Sequence, residues 1–157
     1  MFFFEKLKNK QLHIQHDIKF DVIFIDGLHL SDQVERDIKN SLNFLHDDGF
    51  IILHDCNPPS EYHQREQYDF VNSPARSFWN GTTWKAFYKA RHQTNLFSIC
   101  FDTDWGVGVL AKKEYPFFNT INSKVQNEFY EFAVLDRFRA QHLNLYAFEL
   151  WIEQVKK

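Results

Sequence analysis

The sequence predicts an α/β fold: a parallel βαβ unit, then an antiparallel hairpin, then a helical C-terminal region. Three observations carry this. Two short apolar runs, Val22-Ile23-Phe24-Ile25 and Phe50-Ile51-Ile52-Leu53, each drive toward an aspartate, Asp26 and Asp55. One helix-patterned segment lies between them. A later pair of apolar runs flanks Asp102-Thr103-Asp104 at hairpin spacing. Four-residue runs rich in Val, Ile and Phe, bounded by turn residues, suit strands buried on both faces of a parallel sheet.

The first strand is expected at 21–25. From Ser31, a good N-cap residue, Val34, Ile38, Leu42 and Leu45 recur at helical steps and mark one apolar face. Asp32 and Glu35 in the first turn complement the positive end of the helix dipole. Asp47-Asp48-Gly49 reads as the stop and the turn into the second strand. After Asp55, the prolines of Cys56-Asn57-Pro58-Pro59-Ser60 end the strand. Residues 60–80 are polar and aromatic without a sustained period, the mark of a functional or disordered stretch.

A helix follows Thr83, with Trp84, Phe87, Tyr88 and Arg91 on one face. Leu96 to Phe101 and Trp105 to Ala111 read as the two hairpin strands. Ser123-Lys124-Val125-Gln126 matches a capping box and opens a helical region to about Val155. Its apolar face is read as Val125, Phe129, Phe132, Leu135 and Phe138, with Leu143, Leu145, Phe148, Trp151 and Ile152 on a second segment. This divides the chain into a partial α/β domain, 1–113, and a helical extension, 114–157, packing on it or on a partner.

Composition bounds the function classes. At 157 residues one domain is the default, and such a chain buries roughly 70% of its unfolded surface. A net charge of -3 argues against nonspecific binding to nucleic acid or anionic membranes. No apolar stretch approaches the roughly 20 residues of a membrane span. Glu5-Lys6-Leu7-Lys8 directly after Met1-Phe2-Phe3-Phe4 argues against a signal peptide. The two cysteines read as reduced thiols, so the expected location is cytoplasmic. Eighteen phenylalanines call for a large aromatic core or a further hydrophobic interface.

Ligands of open α/β sheets bind outside the carboxyl ends of the strands, where Asp26 and Asp55 fall on neighbouring strands. At these residues the chain resembles the class I S-adenosylmethionine-dependent methyltransferases. It is most similar to the branch whose strands end in Ile-Asp-Gly-x-His and His-Asp, here Ile25-Asp26-Gly27-Leu28-His29 and His54-Asp55. Trp79-Asn80-Gly81-Thr82-Thr83-Trp84-Lys85-Ala86 and Asp102-Thr103-Asp104-Trp105-Gly106-Val107-Gly108 carry the resemblance over roughly residues 18–112. It implies a Rossmann-like sheet of which this chain holds the C-terminal half, in the spatial order four, five, seven, six. The family's Gly-rich turn and ribose-binding acid have no counterpart here, and Met1-Phe2-Phe3-Phe4 looks like the end of the segment after its third strand.

That resemblance implies methyl transfer from S-adenosylmethionine, with oxygen of a small molecule or sugar as acceptor. Asp26, His29 and Asp55 are the candidate catalytic residues, and Asp26, Gly27 and His29 would line the cofactor. Asp26, Asp55 and Asn57 could hold a divalent cation such as Mg²⁺, as in some related O-methyltransferases. A hydroxyl is a poor nucleophile until deprotonated; a cation lowers its pKa, and His or Asp can take the proton. The competing reading has Asp26 capping the next turn, His29 bonding backbone and His54 a satisfied core histidine. A non-catalytic remnant or oligomerisation module is the alternative function. The first strand would be an open edge, a template for a second copy or a partner chain. Trp79 and Trp84 read as packing or surface groups. Gly106-Val107-Gly108-Val109-Leu110-Ala111 fits G-x-G-x-x-A but lies inside a hairpin strand, where close packing explains the glycines better than phosphate binding. Asp102 and Asp104 read as turn residues.

Overall fold

A computed structural model of the chain describes residues 6, 18–69, 71–93, 95–119 and 126–156. Strand β1 (Phe20–Ile25) leads to helix α1 (Ser31–Phe44) and strand β2 (Leu45–Leu53), with β1 and β2 parallel. Helix α2 (Thr83–Gln93) precedes the antiparallel hairpin of β3 (Phe97–Phe101) and β4 (Val107–Ala111). Helix α3 (Phe132–Leu143), the short β5 (Leu145–Tyr146) and helix α4 (Phe148–Val155) complete the chain. The sheet runs β1-β2-β4-β3-β5, with β4 antiparallel to both neighbours. Its first four strands reproduce the order expected from the resemblance.

The main core lies between one face of this sheet and helices α1 and α2. Ile23, Ile25, Ile51 and Leu53 meet Val34, Ile38, Trp84 and Phe87 there. Each such side chain contributes roughly 1.5–3 kcal/mol by leaving water. The opposite face carries a second cluster, where Phe101 packs against Phe148 and Trp151 of α4 at ring separations of 5.3 and 5.0 Å. The many aromatics are thus divided between two layers. On that face, Val22 and Phe24 of the β1 edge stay 53% and 60% exposed. No helix among the described residues is long and apolar enough to cross a membrane.

Several local expectations are corrected. Ser31 is the first residue of α1 rather than its cap, and Leu30 at the N-cap makes no side-chain bond. The capping oxygen arrives from afar: Ser31 N–H donates to Thr82 Oγ1 at 2.8 Å. Leu45 belongs to β2, pairing with Phe20, and the ladder resumes at Val22 with Phe50. Asp47-Asp48-Gly49 is therefore an excursion within the strand rather than a turn before it. Phe129, placed on the apolar face, is 81% exposed. The helix expected from 123 starts only at Phe132, so Phe129 lies before it, and backbone at Phe138 departs from helical geometry within α3. Residues 120–125, with the capping box at its first three positions, and residues 1–4 lie outside the described residues.

Arg91 is buried, with no carboxylate beside it among the described residues. Its guanidinium donates to His142 O at 2.9 Å, to Ser98 O and Oγ, and to Asn119 Oδ1, and burial lowers its pKa to about 10. Beside it, His92 Nδ1–H donates to Tyr88 O at 2.6 Å, and the His92 ring stacks on that of Tyr88. Burial is the main reason that the His92 pKa falls to about 4; Arg91 and His142 add to it. A depressed histidine binds fewer protons folded than unfolded, so its stability is present above about pH 6.5 and is lost as pH falls toward 4. With the shift discounted for a partly exposed ring, the expected loss is on the order of 1–2 kcal/mol. Urea unfolding at pH 7 and pH 4 checks this. His92→Phe, which keeps the stacking, should flatten the difference; an unchanged pH dependence would remove His92 as its source.

Candidate active site

The parallel pairing of β1 and β2 ends with Ile25 opposite Leu53, and His54 N–H donates to Ile25 O at 3.2 Å. The next residues on each strand, Asp26 and His54-Asp55, are therefore side by side. Asp55 takes a left-handed backbone, φ 62°, uncommon for a non-glycine residue and a frequent mark of functional positions. Its carboxylate is almost fully buried, whereas that of Asp26 is 40% exposed. After this turn the chain is clamped to the hairpin: Cys56 N–H donates to Gly106 O and Asn57 N–H to Trp105 O.

Four side chains close a ring. His29 Nδ1 lies 3.1 Å from Asp55 Oδ2, and its Nε2 lies 3.3 Å from Asp26 Oδ1. His54 Nδ1 sits 3.2 Å from Asp55 Oδ2 and 3.4 Å from Asp26 Oδ1, with Nε2 3.3 Å from Asp104 Oδ2. Both nitrogens of both imidazoles thus face carboxylates. A neutral imidazole has one donor, so two neutral rings cannot satisfy these four faces. The ring favours an added proton or a cation. Burial pushes the Asp55 carboxyl above its usual value, although both histidines pull against it. Burial also opposes charge on His54, but Asp55, Asp26 and Asp104 outweigh it and raise that imidazole.

Residues 60–82 supply the outer wall. Arg65 holds this loop from within, donating to the carbonyls of Tyr62, Phe78 and Arg76. Trp79 Nε1–H donates to Arg65 O at 2.7 Å, and the Trp79 ring stacks on His29 at 5.2 Å. Gly81 packs on the His29 backbone, where Thr82 N–H donates to His29 O at 2.7 Å. Asn80, fully buried, donates from Nδ2 to Asp55 Oδ1 at 2.9 Å and to Trp105 O at 3.3 Å. The 79–82 segment is therefore the support of the ring, a role that its sequence position does not announce.

Asp26, His29 and Asp55, picked from sequence, come together here; His54 and Asp104 join them. Gly27 has open space where a Cβ would stand. Asn57 is engaged elsewhere: Nδ2 donates to Asp102 Oδ1, and Oδ1 accepts from Arg139 of α3. The group whose ligand atoms lie within 4.8 Å of one another is Asp26, His29 and Asp55. In the hairpin turn, Asp104, Trp105 and Gly106 have φ of 43°, 64° and 90°, and Gly106 N–H donates to Thr103 O. A tryptophan is a rare occupant of that conformation. The turn faces a cleft of about 500 Å³ lined by Asn57, Asp102, Asp104, Trp105, Asp136 and Arg139. Gly106 and Gly108 pack against Asn57 and against Cys56 and Phe87, which accounts for the G-x-G spacing through close approach.

Residues 3–56 match a family model described as a methyltransferase domain, a segment that includes β1, α1, β2 and the Asp26, His29 and Asp55 positions. Together with the sheet order, the match supports a class I methyltransferase-like domain. No curated protein and no solved structure matches the chain.

Proposed function

We propose that this methyltransferase-like chain carries the acceptor side of an S-adenosylmethionine-dependent methyl transfer to a hydroxyl oxygen of a small molecule or sugar. The observation that carries the reading is the closed ring of Asp26, His29, Asp55 and His54 at the carboxyl ends of β1 and β2. Open space over Gly27 and the exposed edge of the Asp26 carboxylate suit the methionine end of the cofactor. The cofactor supplies a methyl group on a sulfonium, an electrophile that leaves behind a neutral thioether. The protein must remove the acceptor's proton as its oxygen bonds to that carbon. His29 takes the proton, and the flanking carboxylates of Asp26 and Asp55 stabilise the imidazolium. The acceptor enters by the cleft beside Asp104 and Trp105.

Asp26, His29 and Asp55 could also hold a divalent cation, which would lower the hydroxyl's pKa. A second reading rests on β1: its outer edge has no strand partner among the described residues, and Val22 and Phe24 are exposed beside it. There the domain would serve as an association module, with a second copy pairing at the edge. The test is transfer of labelled methyl from S-adenosylmethionine to a panel of hydroxylated small molecules and sugars by the full-length protein, beside calorimetric titration with the cofactor. Neither transfer nor binding, in a chain that self-associates by light scattering, rejects the enzyme and favours the module.

A further inference from the structure

We infer that the cleft beside Asp104 and Trp105 takes a hydroxylated ring that carries an ammonium group, an amino sugar in chemical class, with Trp105 and Asp102 as the specificity-determining residues. This rests on the reading of that cleft as the acceptor's entrance, and it narrows the acceptor class. Two independent observations carry it, a fixed aromatic ring and an imbalance of charge on the same walls. Trp105 is clamped through its backbone, where its carbonyl accepts from Asn57 N–H at 2.8 Å and from Asn80 Nδ2 at 3.3 Å. Its ring stacks on Phe78 at 5.3 Å and meets His63 at 5.6 Å. Even so, Trp105 stays 36% exposed and lines the cleft of about 500 Å³. A rigid aromatic surface open to a cleft suits the apolar C–H face of a pyranose, and an ammonium beside it gains a cation–π attraction.

The charge comes from three carboxylates in the lining, Asp102, Asp104 and Asp136, against one guanidinium, Arg139. That guanidinium is turned to the protein: Nη1 donates to Asn57 Oδ1 and to Pro58 O, and Nη2 donates to Asp136 Oδ1 at 2.7 Å. Asp104 Oδ2 faces His54 Nε2 at 3.3 Å. Asp102 has no such counterpart. Its Oδ1 accepts from the neutral amide of Asn57 at 2.9 Å, and no cation lies within ion-pair distance of it among the described residues. A carboxylate held in place without a counter-charge favours a cation and repels an anion. Carboxylates only accept, so the ligand must bring the donors, which hydroxyl and ammonium groups supply. A phosphorylated or carboxylated acceptor brings the wrong charge to these walls.

Ligand-observed saturation-transfer NMR on the full chain at pH 6.5 tests this with no cofactor and no methyl transfer. Glucosamine, whose amine is protonated there, is expected to bind at millimolar concentration, about fivefold tighter than glucose, and glucuronate is expected not to bind. Asp102→Asn keeps an oxygen for the Asn57 amide and removes the charge, so it should abolish the preference for glucosamine over glucose. Trp105→Asn installs a residue that tolerates the left-handed turn and should weaken both sugars by about tenfold. Glu153→Gln, an equal change of charge on α4, whose residues do not line the cleft, should change neither. Glucose or glucuronate binding as tightly as glucosamine overturns the inference even if neither cleft variant folds, and so does a chain that binds none of the three. An undiminished preference in folded Asp102→Asn, or undiminished binding in folded Trp105→Asn, overturns it as well. Methyl transfer to an uncharged or anionic acceptor in preference to an amino sugar would overturn it while leaving the methyltransferase reading intact.

Discussion

Gly81→Ala is expected to destabilise the chain by about 3–5 kcal/mol, among the largest effects a single methyl group can have. Gly81 has φ 59°, a conformation that L residues enter at a cost of roughly 1 kcal/mol. The larger part is steric. A Cβ there would overlap the His29 carbonyl oxygen and stand 2.5 Å from His29 Cβ and 2.8 Å from its carbonyl carbon. No rotamer change relieves a clash with backbone, and the His29 carbonyl is fixed by Thr82 N–H. Retreat of the 79–82 segment would also take Thr82 Oγ1 from the start of α1 and Trp79 from the face of His29. Gly27→Ala is the control: nothing lies within 4 Å of its added carbon, so stability should move by less than about 0.5 kcal/mol. Urea unfolding of both variants decides it. A Gly81→Ala protein within about 1 kcal/mol of wild type would mean that the segment does not clamp the loop after β1.

The contrast between these glycines shows why sequence reaches the centre of the site and not its surroundings. Asp26 and Asp55 are legible because each terminates an apolar run, and a strand places its last residue without help from elsewhere. His29 is within three residues of Asp26 and rides on the same loop. Asn80, Trp79 and Asp104 reach the ring only through docking of 60–82 and a left-handed hairpin turn, neither written in local periodicity. Ser31 fails as a cap for the same reason: Thr82, 51 residues away, supplies the oxygen. Asn57 is two residues from Asp55 and chemically apt for a cation, yet Arg139 and Asp102 hold its amide. Leu45 kept the helical spacing, but pairing with Phe20 drew it into β2. In each case a tertiary contact outweighs a correct local preference.

Asp55→Asn should depress methyl transfer strongly while the fold persists, and His29→Ala should lower kcat by about 10²–10⁴-fold if His29 is the general base. Asp55 Oδ2 lies 3.1 and 3.2 Å from Nδ1 of the two imidazoles, and an amide there removes the charge that both face. Asp26→Asn removes the exposed carboxylate that faces His29 Nε2 and His54 Nδ1, so the imidazolium formed on proton uptake loses one of its two counter-charges. His54 has a raised pKa and retains Asp104 on its far side. His54→Ala should therefore act more weakly on the chemical step than His29→Ala, and more on the pH profile. The four variants alter groups at the strand ends or on the loop that leaves β1, and circular dichroism should match wild type. The measurement is labelled methyl transfer by the full-length protein across pH, with and without EDTA. A loss confined to EDTA-treated samples assigns the site to a cation held by Asp26, His29 and Asp55. Loss in the variants with EDTA insensitivity leaves proton transfer as its work. Near-normal rates in folded Asp26→Asn, Asp55→Asn and His29→Ala would remove the ring from the chemistry altogether, because no other described cluster joins two carboxylates and two imidazoles at the sheet's carboxyl end.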